Sequence, residues 1–201
     1  RVKDVYIPRD YYTKQPKGFA FVECASREEA NKAKDALVLP LVSPSSAWPA
    51  QPGLRDAGGI ERAMACLKVA RAGGVNLFDN AEVYANGQSE EVMGSILSKF
   101  GWDRDTYLVS SKVFWGGDRP NQTGLSRKHV IEACHAALRR LRVDYLDLYY
   151  CHRADPETPV EETVRAMDTL VQQGKVLYWG TSEWSAASIM EAHAIAREHH
   201  L

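Results

Sequence analysis

Apolar and polar positions follow different periods in different parts of the chain. From Gly59 onward, stretches with an apolar residue every three or four positions alternate with short, continuous apolar runs. The first pattern indicates amphipathic helices, and the second indicates buried strands. We therefore predict a helix from about Ile60, followed by four strand and helix pairs. The predicted strands are VNLF, TYLVSSK, YLDLYY and VLYWG.

Residues that favour helix ends separate these stretches. A serine hydroxyl can accept the N–H groups that open a helix, and three predicted helices follow a serine. These N-cap candidates are Ser89, Ser126 and Ser185. A further helix is predicted to begin with a capping box made by Thr158 and Glu161, with Pro159 at its first position. Glycines at 73–74, 101 and 174 are predicted to end helices.

The spacing of the predicted strand ends favours one architecture. Asp79 and Lys112 are 33 residues apart, Lys112 and His152 are 40 apart, and His152 and Ser182 are 30 apart. Alternating strands and helices form parallel sheets, and an eight-stranded (β/α) barrel uses roughly 31 residues per unit. The alternative, a doubly wound sheet, is disfavoured because no GxGxxG opens a helix. We predict an α/β fold, a partial (β/α)8 TIM barrel with about four strands and five helices.

The first 58 residues have a different character. Residues 1–37 predict a small ββα fragment, with strands in VKDVYIP and GFAFVEC and a helix in EEANKAKDAL. Residues 38–58 contain four prolines and three serines and have no periodic apolar face, so we predict a linker. The predicted domains are therefore 1–37, 38–58 and 59–201.

Composition narrows the classes of function. The chain of 201 residues has 45% hydrophobic residues, 25% charged residues and a formal net charge of −1. This balance argues against a chain-wide affinity for nucleic acid or anionic membranes, and no apolar run has the length of a membrane helix. Four scattered cysteines without a CxxC pair favour a reducing, cytoplasmic location over a disulfide framework. No spacing of ligands predicts a metal site.

Four side chains with complementary chemistry lie at or just after predicted strand ends: Asp79, Tyr84, Lys112 and His152. Reduction of a carbonyl needs a proton for its oxygen, and a tyrosine hydroxyl can donate one. We expect Lys112 to lower the pKa of Tyr84, Asp79 to hold the lysine, and His152 to orient the carbonyl. A lone Asp or Lys at a strand end is more often a cap or a surface charge, so the hypothesis depends on the joint position of all four.

The environments of two tryptophans and two histidines are predicted from their positions in the strand and helix pattern. Trp115 and Trp184 follow strand ends and could either pack or line a substrate entrance. His129 and His135 lie on a helix whose inward face is aliphatic, so both are predicted to be exposed or at the rim.

The local sequence around these residues resembles that of the aldo-keto reductase family. The resemblance is carried by FDNAEVYANGQSEEVMG, SSKVFWGG, GLSRKHVIEA, YYCHRADPETPVEETVRAM and YWGTSEWS. Within the family these segments are most similar to the branch of voltage-gated potassium channel β-subunits. The resemblance spans about 60–201, which corresponds to part of a barrel.

This resemblance implies a set of functional residues and partners. The tetrad of Asp79, Tyr84, Lys112 and His152 would be catalytic, and the cofactor would be NADP(H). Asp79, His152, Ser182 and Glu183 would lie at the cofactor. The implied partners are a small carbonyl substrate, a potassium channel α-subunit and further copies of the chain in a homotetramer.

The N-terminal strands resemble part of an RNA-recognition motif. The segment KGFAFVEC fits the RNA-contact octamer of such domains, except that Cys24 replaces its last aromatic residue. Phe19 and Phe21 would share one sheet face and stack on bases, and Lys17 would meet phosphate. Because only two strands and one helix of the motif are represented, we predict weak or no RNA binding.

Four interpretations of function remain open at this point. The first is an NADP(H)-dependent reductase of aldehydes and ketones. The second is a redox-sensing regulatory subunit of a potassium channel without significant turnover. An RNA-binding protein and a non-functional chimeric or truncated product are the third and fourth. The tetrad fits the first two equally, because the same barrel serves both.

Overall fold

The computed structural model describes residues 2–6, 21–24 and 57–201. These fall into two compact units, Arg1–Leu77 with Lys99–Tyr107, and Phe78–Ser98 with Leu108–Leu201. The predicted helix over 28–37, most of the predicted linker, and the residues Lys17 and Phe19 lie outside the described residues, as does the side chain of Phe21.

The first unit contains the N-terminal strand pair and one helix. Strand β1 (Val2–Tyr6) pairs antiparallel with β2 (Phe21–Cys24), and their register shifts between Val2 and Asp4. Helix α1 (Ala57–Ala72) follows and ends before Gly74, whose φ of 92° lies in the region that glycine adopts readily. The two predicted N-terminal strands are therefore present.

The second unit is built around a four-stranded sheet in the order β3–β4–β5–β6. Its strands are β3 (Leu77–Asp79), β4 (Leu108–Val113), β5 (Leu146–Cys151) and β6 (Val176–Thr181). The helices between and after them are α2 (Gln88–Phe100), α3 (Arg127–Leu141), α4 (Val160–Gln172) and α5 (Ala186–Glu198). Together with α1, the described residues contain the four strands and five helices of the predicted partial barrel.

Parallel pairing brings the strand ends to one edge of the sheet. Lys112 of β4 lies opposite Tyr150 of β5, and Cys151 lies opposite Thr181 of β6. All residues of β4 after Leu108 are buried, as expected for a parallel strand that is covered on both faces. Residues that follow the strands therefore meet at a single rim.

The helices cover the sheet with the faces that their apolar periods predict. The buried positions of α3 include Val130, Cys134, Leu138 and Leu141, and α4 buries Val164, Met167 and Leu170. In each helix these positions recur at intervals of three or four residues, so the apolar stripe of each helix supplies the core. No helix in the described part of the chain has the length and apolarity needed to cross a membrane.

Two of the predicted helix caps are present. The Ser126 hydroxyl accepts the N–H of His129 at 3.3 Å, and the Ser185 hydroxyl accepts the N–H of Ser188 at 3.1 Å. Both serines stand at the N-cap with extended ψ, which satisfies N–H groups that have no partner within the helix.

The other two cap predictions were wrong. Helix α2 begins at Gln88, and the Ser89 hydroxyl donates to Asn80 Oδ1 at 2.7 Å. At the start of α4, the Thr158 hydroxyl donates to Asp155 Oδ2 at 2.8 Å, and Pro159 occupies the N-cap. In both places an acceptor outside the helix, Asn80 or Asp155, binds the hydroxyl that the helix would otherwise use.

Candidate functional site

The four residues of the predicted tetrad lie close together at the carboxyl edge of the sheet. Asp79 ends β3, Tyr84 opens a short 3-10 turn (Tyr84–Gly87), Lys112 lies near the end of β4, and His152 directly follows β5. Tyr84, Lys112 and His152 are buried, whereas 43% of the Asp79 side chain is exposed. The tetrad thus contacts both the interior and the solvent at this rim.

The Lys112 ammonium group connects three of these elements. Its Nζ atom donates to Asp79 Oδ2 at 2.5 Å, to the Asn80 carbonyl at 2.8 Å, and to Tyr84 Oη at 3.4 Å. Ser110 donates to the other oxygen of Asp79 at 2.5 Å. Burial lowers the pKa of Lys112, and the Asp79 carboxylate opposes this shift. An ammonium has three donors, so these contacts use its full capacity.

The phenol of Tyr84 is held in its protonated form. Burial, together with the negative charge of Asp79, raises its pKa to about 12, while Arg153 acts in the opposite direction. The expectation of a lowered pKa for Tyr84 was therefore wrong, because the net shift is upward. The cost of burying a phenolate is the largest cause, and the Lys112 charge lies beside the opposite charge of Asp79.

His152 is a neutral, buried imidazole. Burial, with the positive charges of Lys112 and Arg153, lowers its pKa to about 4. The ring packs edge-on against Tyr84, with centroids 6.0 Å apart, and against Trp115, with centroids 5.1 Å apart. Its Nδ1 atom is buried and has no hydrogen-bond partner among the described residues.

The ends of β5 and β6 add a pair of charges to this rim. Arg153 Nη2 lies 3.1 Å from Glu183 Oε1, and Arg153 Nη1 donates to the His152 carbonyl at 2.6 Å. The guanidinium also lies over the Trp115 ring, 5.4 Å from its centroid. Ser182, whose N–H donates to the Cys151 carbonyl at 3.0 Å, is partly exposed beside Glu183. Sequence reasoning missed Arg153, although its position next to His152 was an available signal.

The rim offers unsatisfied polar atoms that suit a polar planar ligand. Besides His152 Nδ1, the indole nitrogen of the buried Trp184 has no partner in the part of the chain described by the structure. Buried polar atoms almost always have a hydrogen-bond partner. A carboxamide offers both an acceptor and donors, so these residues fit a nicotinamide group.

Two further residues beside the tetrad were not predicted to belong to it. Glu82 and His129 are both buried, and Glu82 Oε2 lies 3.5 Å from His129 Nε2. The prediction that His129 is exposed or at the rim was wrong, because the first turn of α3 faces the end of β4 at this point. The position of Glu82 between Asp79 and Tyr84 was a signal that could have been followed. His135, predicted in the same way, is partly exposed.

Comparison with known proteins identifies two family patterns in the chain. The model of the aldo/keto reductase family matches residues 59–200, and the model of the RNA recognition motif matches residues 1–38. The first match covers more than half of the chain.

Individual relatives agree with the first pattern. The chain is 55% identical over 137 residues to a probable voltage-gated potassium channel subunit beta of Oryza sativa subsp. japonica, and 53% identical to its namesake in Arabidopsis thaliana. Each alignment covers 68% of this chain and 42% of the relative. The chain thus spans about two fifths of the length of these relatives. A putative channel subunit beta of Schizosaccharomyces pombe is 51% identical over 144 residues, which are 71% of this chain and 42% of that protein.

A solved structure supports the same fold. A thermostable aldo-keto reductase, crystallised with the inhibitor epalrestat, superposes with a TM-score of 0.61 at 32% sequence identity. The superposition covers 70% of this chain and 48% of that one.

Proposed function

The chain belongs to the aldo/keto reductase family, and from this premise we propose that it is an NADP(H)-dependent reductase of aldehydes and ketones in which Tyr84 donates the proton. The observation that carries the proposal is the hydrogen bond from Lys112 Nζ to Tyr84 Oη, together with the Asp79–Lys112 ion pair. The alignments cover only 42% of the relatives from Oryza sativa and Arabidopsis thaliana. Reductase activity is therefore proposed from the residues of this chain and not carried over from those proteins.

Tyr84 fits the role of proton donor because of how its oxygen is bonded. Lys112 donates to Oη at 3.4 Å, so the hydroxyl hydrogen can point to a substrate oxygen. With a pKa of about 12 the phenol keeps its proton at neutral pH. It gives up that proton only as negative charge develops on the carbonyl oxygen, and the ammonium then stabilises the phenolate that remains.

His152 fits the role of an orienting group rather than an acid. Its pKa of about 4 keeps it neutral at physiological pH, so a ring N–H can donate a hydrogen bond to a carbonyl oxygen without transferring a full proton. The ring packs edge-on against that of Tyr84, with centroids 6.0 Å apart. We propose that they hold the carbonyl oxygen between them.

The residues proposed to hold NADP(H) are Asp79, His152, Ser182 and Glu183. When bound, the reduced cofactor supplies the hydride that the substrate carbon accepts. Asp79 and Glu183 are the more exposed members, with 43% and 69% of their side chains accessible. The unsatisfied His152 Nδ1 and Trp184 Nε1 atoms support a polar group at this place.

The proposal is tested by the consumption of NADPH with a panel of small aldehydes and ketones. We expect Tyr84→Phe to lower the rate at least about a hundredfold, the size of a general-acid contribution. Tyr178→Phe is the matched control, because Tyr178 is 69% exposed on β6. A Tyr84→Phe protein that reduces these carbonyls at the parent rate would refute the assignment.

Cofactor binding is tested separately by titration with NADPH, followed by tryptophan fluorescence. We expect saturation in the micromolar range for the parent chain and weaker binding for Lys112→Met, which leaves Asp79 without its counter-charge. A folded chain that shows no saturable binding would contradict the proposed cofactor.

A second function is favoured by the names of the relatives. Three of them are described as voltage-gated potassium channel β-subunits, so regulation of a channel by cofactor redox state is the alternative to turnover. The partners would then be a channel α-subunit and further copies of the chain in a homotetramer. Co-purification with an α-subunit in the absence of measurable carbonyl reduction would favour this alternative.

Binding to RNA is the third candidate, and it depends on the match at residues 1–38. We propose that it is weak or absent, for the reason given by the sequence. The test is a titration with single-stranded RNA. Submicromolar, salt-sensitive binding that disappears in Phe19→Ala and Phe21→Ala would contradict this proposal.

The boundaries proposed for the domains are 1–37, 38–58 and 59–201. The two family models support them, because their matches end at residue 38 and begin at residue 59. A cytosolic location is proposed with them, and it is supported by Cys134 and Cys151, which are free thiols rather than members of disulfides. Burial raises the pKa of each thiol to about 12, which leaves both unreactive.

A further inference from the structure

A hairpin-like loop carries Trp115 to the ring of His152. The loop spans 114–124, and its two sides are joined by the bonds from Gly124 N to the Phe114 carbonyl and from Gly116 N to the Gln122 carbonyl, both 2.8 Å. Trp115 lies on its first side, in an isolated antiparallel bridge with Thr123. Its ring then packs against His152, with centroids 5.1 Å apart.

Glu82 fixes the first side of this loop. Its own N–H donates to the Lys112 carbonyl at 3.2 Å, and its carboxylate oxygen Oε1 accepts the N–H of Phe114 at 2.6 Å. Glu82 therefore bonds the chain on both sides of Val113, where β4 ends.

His129 fixes the second side of the loop and pairs with Glu82. Its Nδ1 lies 2.7 Å from the Gly124 carbonyl, and its Nε2 lies 3.5 Å from Glu82 Oε2. A carbonyl and a carboxylate only accept hydrogen bonds, so the imidazole donates to both only in its cationic form, in which both ring nitrogens carry hydrogen. Burial acts to lower the pKa of His129, but Glu82, the Gly124 carbonyl and Glu132 outweigh it and raise the pKa.

The loop lies directly against this pair. A Cβ atom on Gly116 would be 2.8 Å from both Glu82 Oε2 and His129 Nε2, closer than real Cβ contacts allow. Both neighbours of Trp115, Phe114 and Gly116, therefore touch the pair. Opposite charges that are both buried keep such a geometry well defined, because separating them leaves a buried charge without compensation.

We infer that the buried Glu82–His129 ion pair positions Trp115 against His152 by fixing both sides of the 114–124 loop. Glu82 and His129 are thus positioning residues, which act through Trp115. The consequence for carbonyl reduction rests on the proposed function, whereas the contact between Trp115 and His152 does not. The His152 ring is buried beside Trp115, and burial is the largest cause of its lowered pKa.

The contact can be tested by NMR on the full chain. The Trp115 ring imposes a ring-current shift on the Cε1 proton of His152, and Trp115→Phe defines the value of that resonance without the indole. We expect Glu82→Ala and His129→Ala to move the resonance most of the way to this value. Glu82→Gln keeps the acceptor for Phe114 but removes the charge, so we expect a smaller displacement in the same direction.

A control and a second readout separate positioning from general stability. Glu191→Gln changes an exposed carboxylate of α5 and is expected to leave the His152 resonance unchanged. In Glu82→Ala we also expect the pKa of His152 to rise above about 4, because displacement of Trp115 reduces its burial, the largest cause of the shift. Lys112 and Arg153, which also lower this pKa, and Asp79, which raises it, are retained in the variant. If Glu82→Ala does not fold, Glu82→Gln takes its place, because the glutamine can still accept the N–H of Phe114.

The outcomes are decisive in either direction. The inference is overturned if Glu82→Ala and Glu82→Gln keep the parental resonance and pKa of His152 while Trp115→Phe changes them. It is also overturned if Trp115→Phe changes nothing, because the contact is then absent. If the parent chain reduces no carbonyl compound, the proposed function fails, and the NMR comparison still decides the role of the pair.

Discussion

His152 is a residue of the site whose pKa lies well below that of a free imidazole. Its pKa is lowered to about 4, mainly by burial and further by Lys112 and Arg153. We predict that the Cε1 proton of His152 shows a single titration near pH 4 and none between pH 5 and 8. NMR titration of the folded chain measures this directly, and a midpoint near the usual value of 6.5 would contradict the neutral role.

The same shift predicts how stability depends on pH. Between pH 6.5 and about 4 the unfolded chain binds a proton at His152 that the folded chain does not bind. Stability that is present above pH 6.5 is therefore lost as the pH falls through this window. We expect His152→Gln to remove this part of the acid destabilisation in urea unfolding at a series of pH values. Equal pH dependence in both proteins would contradict the prediction.

The proximity of the tetrad residues could be predicted from sequence because each lies at or after the carboxyl end of a strand. Parallel strands bring such residues to one rim, whatever the helices between them do. Glu82, His129 and Arg153 could not be placed in the same way. Their roles depend on contacts between loops and helix ends, such as that of Glu82 with His129 at the start of α3. The spacing of apolar residues along α3 does not predict such a contact. The direction of the pKa shift of Tyr84 could not be predicted from sequence either, because burial is its largest cause.

At the scale of elements, Gly94 allows α2 to approach the end of α3. A Cβ atom on Gly94 would lie 2.3 Å from the Arg140 carbonyl oxygen and 2.6 Å from that of Leu141. Replacing glycine by alanine within a helix normally stabilises a protein. Here we predict that Gly94→Ala destabilises the fold by about 2 kcal/mol, because overpacking forces the helices apart. Urea unfolding measures the change.

Ser98→Ala in the same helix is the control for this substitution. Ser98 is exposed, so its replacement is expected to change the free energy of unfolding by less than about 0.5 kcal/mol. A Gly94→Ala protein as stable as the parent would show that the two helices are not in close contact.

A partly buried ion pair joins the same two helices to the sheet. Glu90 is fully buried, accepts the Ser111 hydroxyl at 2.6 Å, and pairs with Arg140 Nε at 2.6 Å. Burial raises the pKa of Glu90, and Arg140 opposes that shift. We predict that Arg140→Met costs about 3 kcal/mol, because it leaves a buried charge without a partner.

Charge accounts for this loss if Glu90→Gln restores stability. We expect the double variant Arg140→Met with Glu90→Gln to be more stable than Arg140→Met alone, and Arg139→Met, at the exposed neighbour, to have little effect. Urea unfolding of the four proteins forms the test. A double variant that is less stable than Arg140→Met would assign the loss to packing instead.

Helix boundaries were predicted unevenly, and the difference has a physical reason. Ser126 and Ser185 cap their helices because each hydroxyl accepts the N–H three residues ahead. Ser89 and Thr158 had equally good local patterns, but Asn80, in the loop after β3, and Asp155, three residues before Thr158, bind their hydroxyls. A serine or threonine caps a helix only where no other acceptor, local or tertiary, competes for its hydroxyl.

At the scale of the whole molecule, the last strand of the described sheet exposes apolar side chains on both faces. Leu177 and Tyr178 of β6 are 45% and 69% exposed, although consecutive strand residues point to opposite sides. On α5, Ile189 and Met190 are 45% and 63% exposed. In the described residues β6 pairs with β5 alone, and an apolar strand edge of this kind is a template for association.

We therefore predict that the chain associates with itself through β6 as its concentration rises. Sedimentation equilibrium is expected to give a weight-average mass above 22.5 kDa that grows with concentration over the micromolar range. Tyr178→Lys places a charge on the exposed apolar strand and is expected to return the mass towards that of a monomer. Gln173→Lys adds the same charge at an exposed polar position before the strand and should leave the association unchanged. If both lysine variants associate as the parent does, the contact lies elsewhere, because a charge in the middle of a paired apolar strand would not be tolerated.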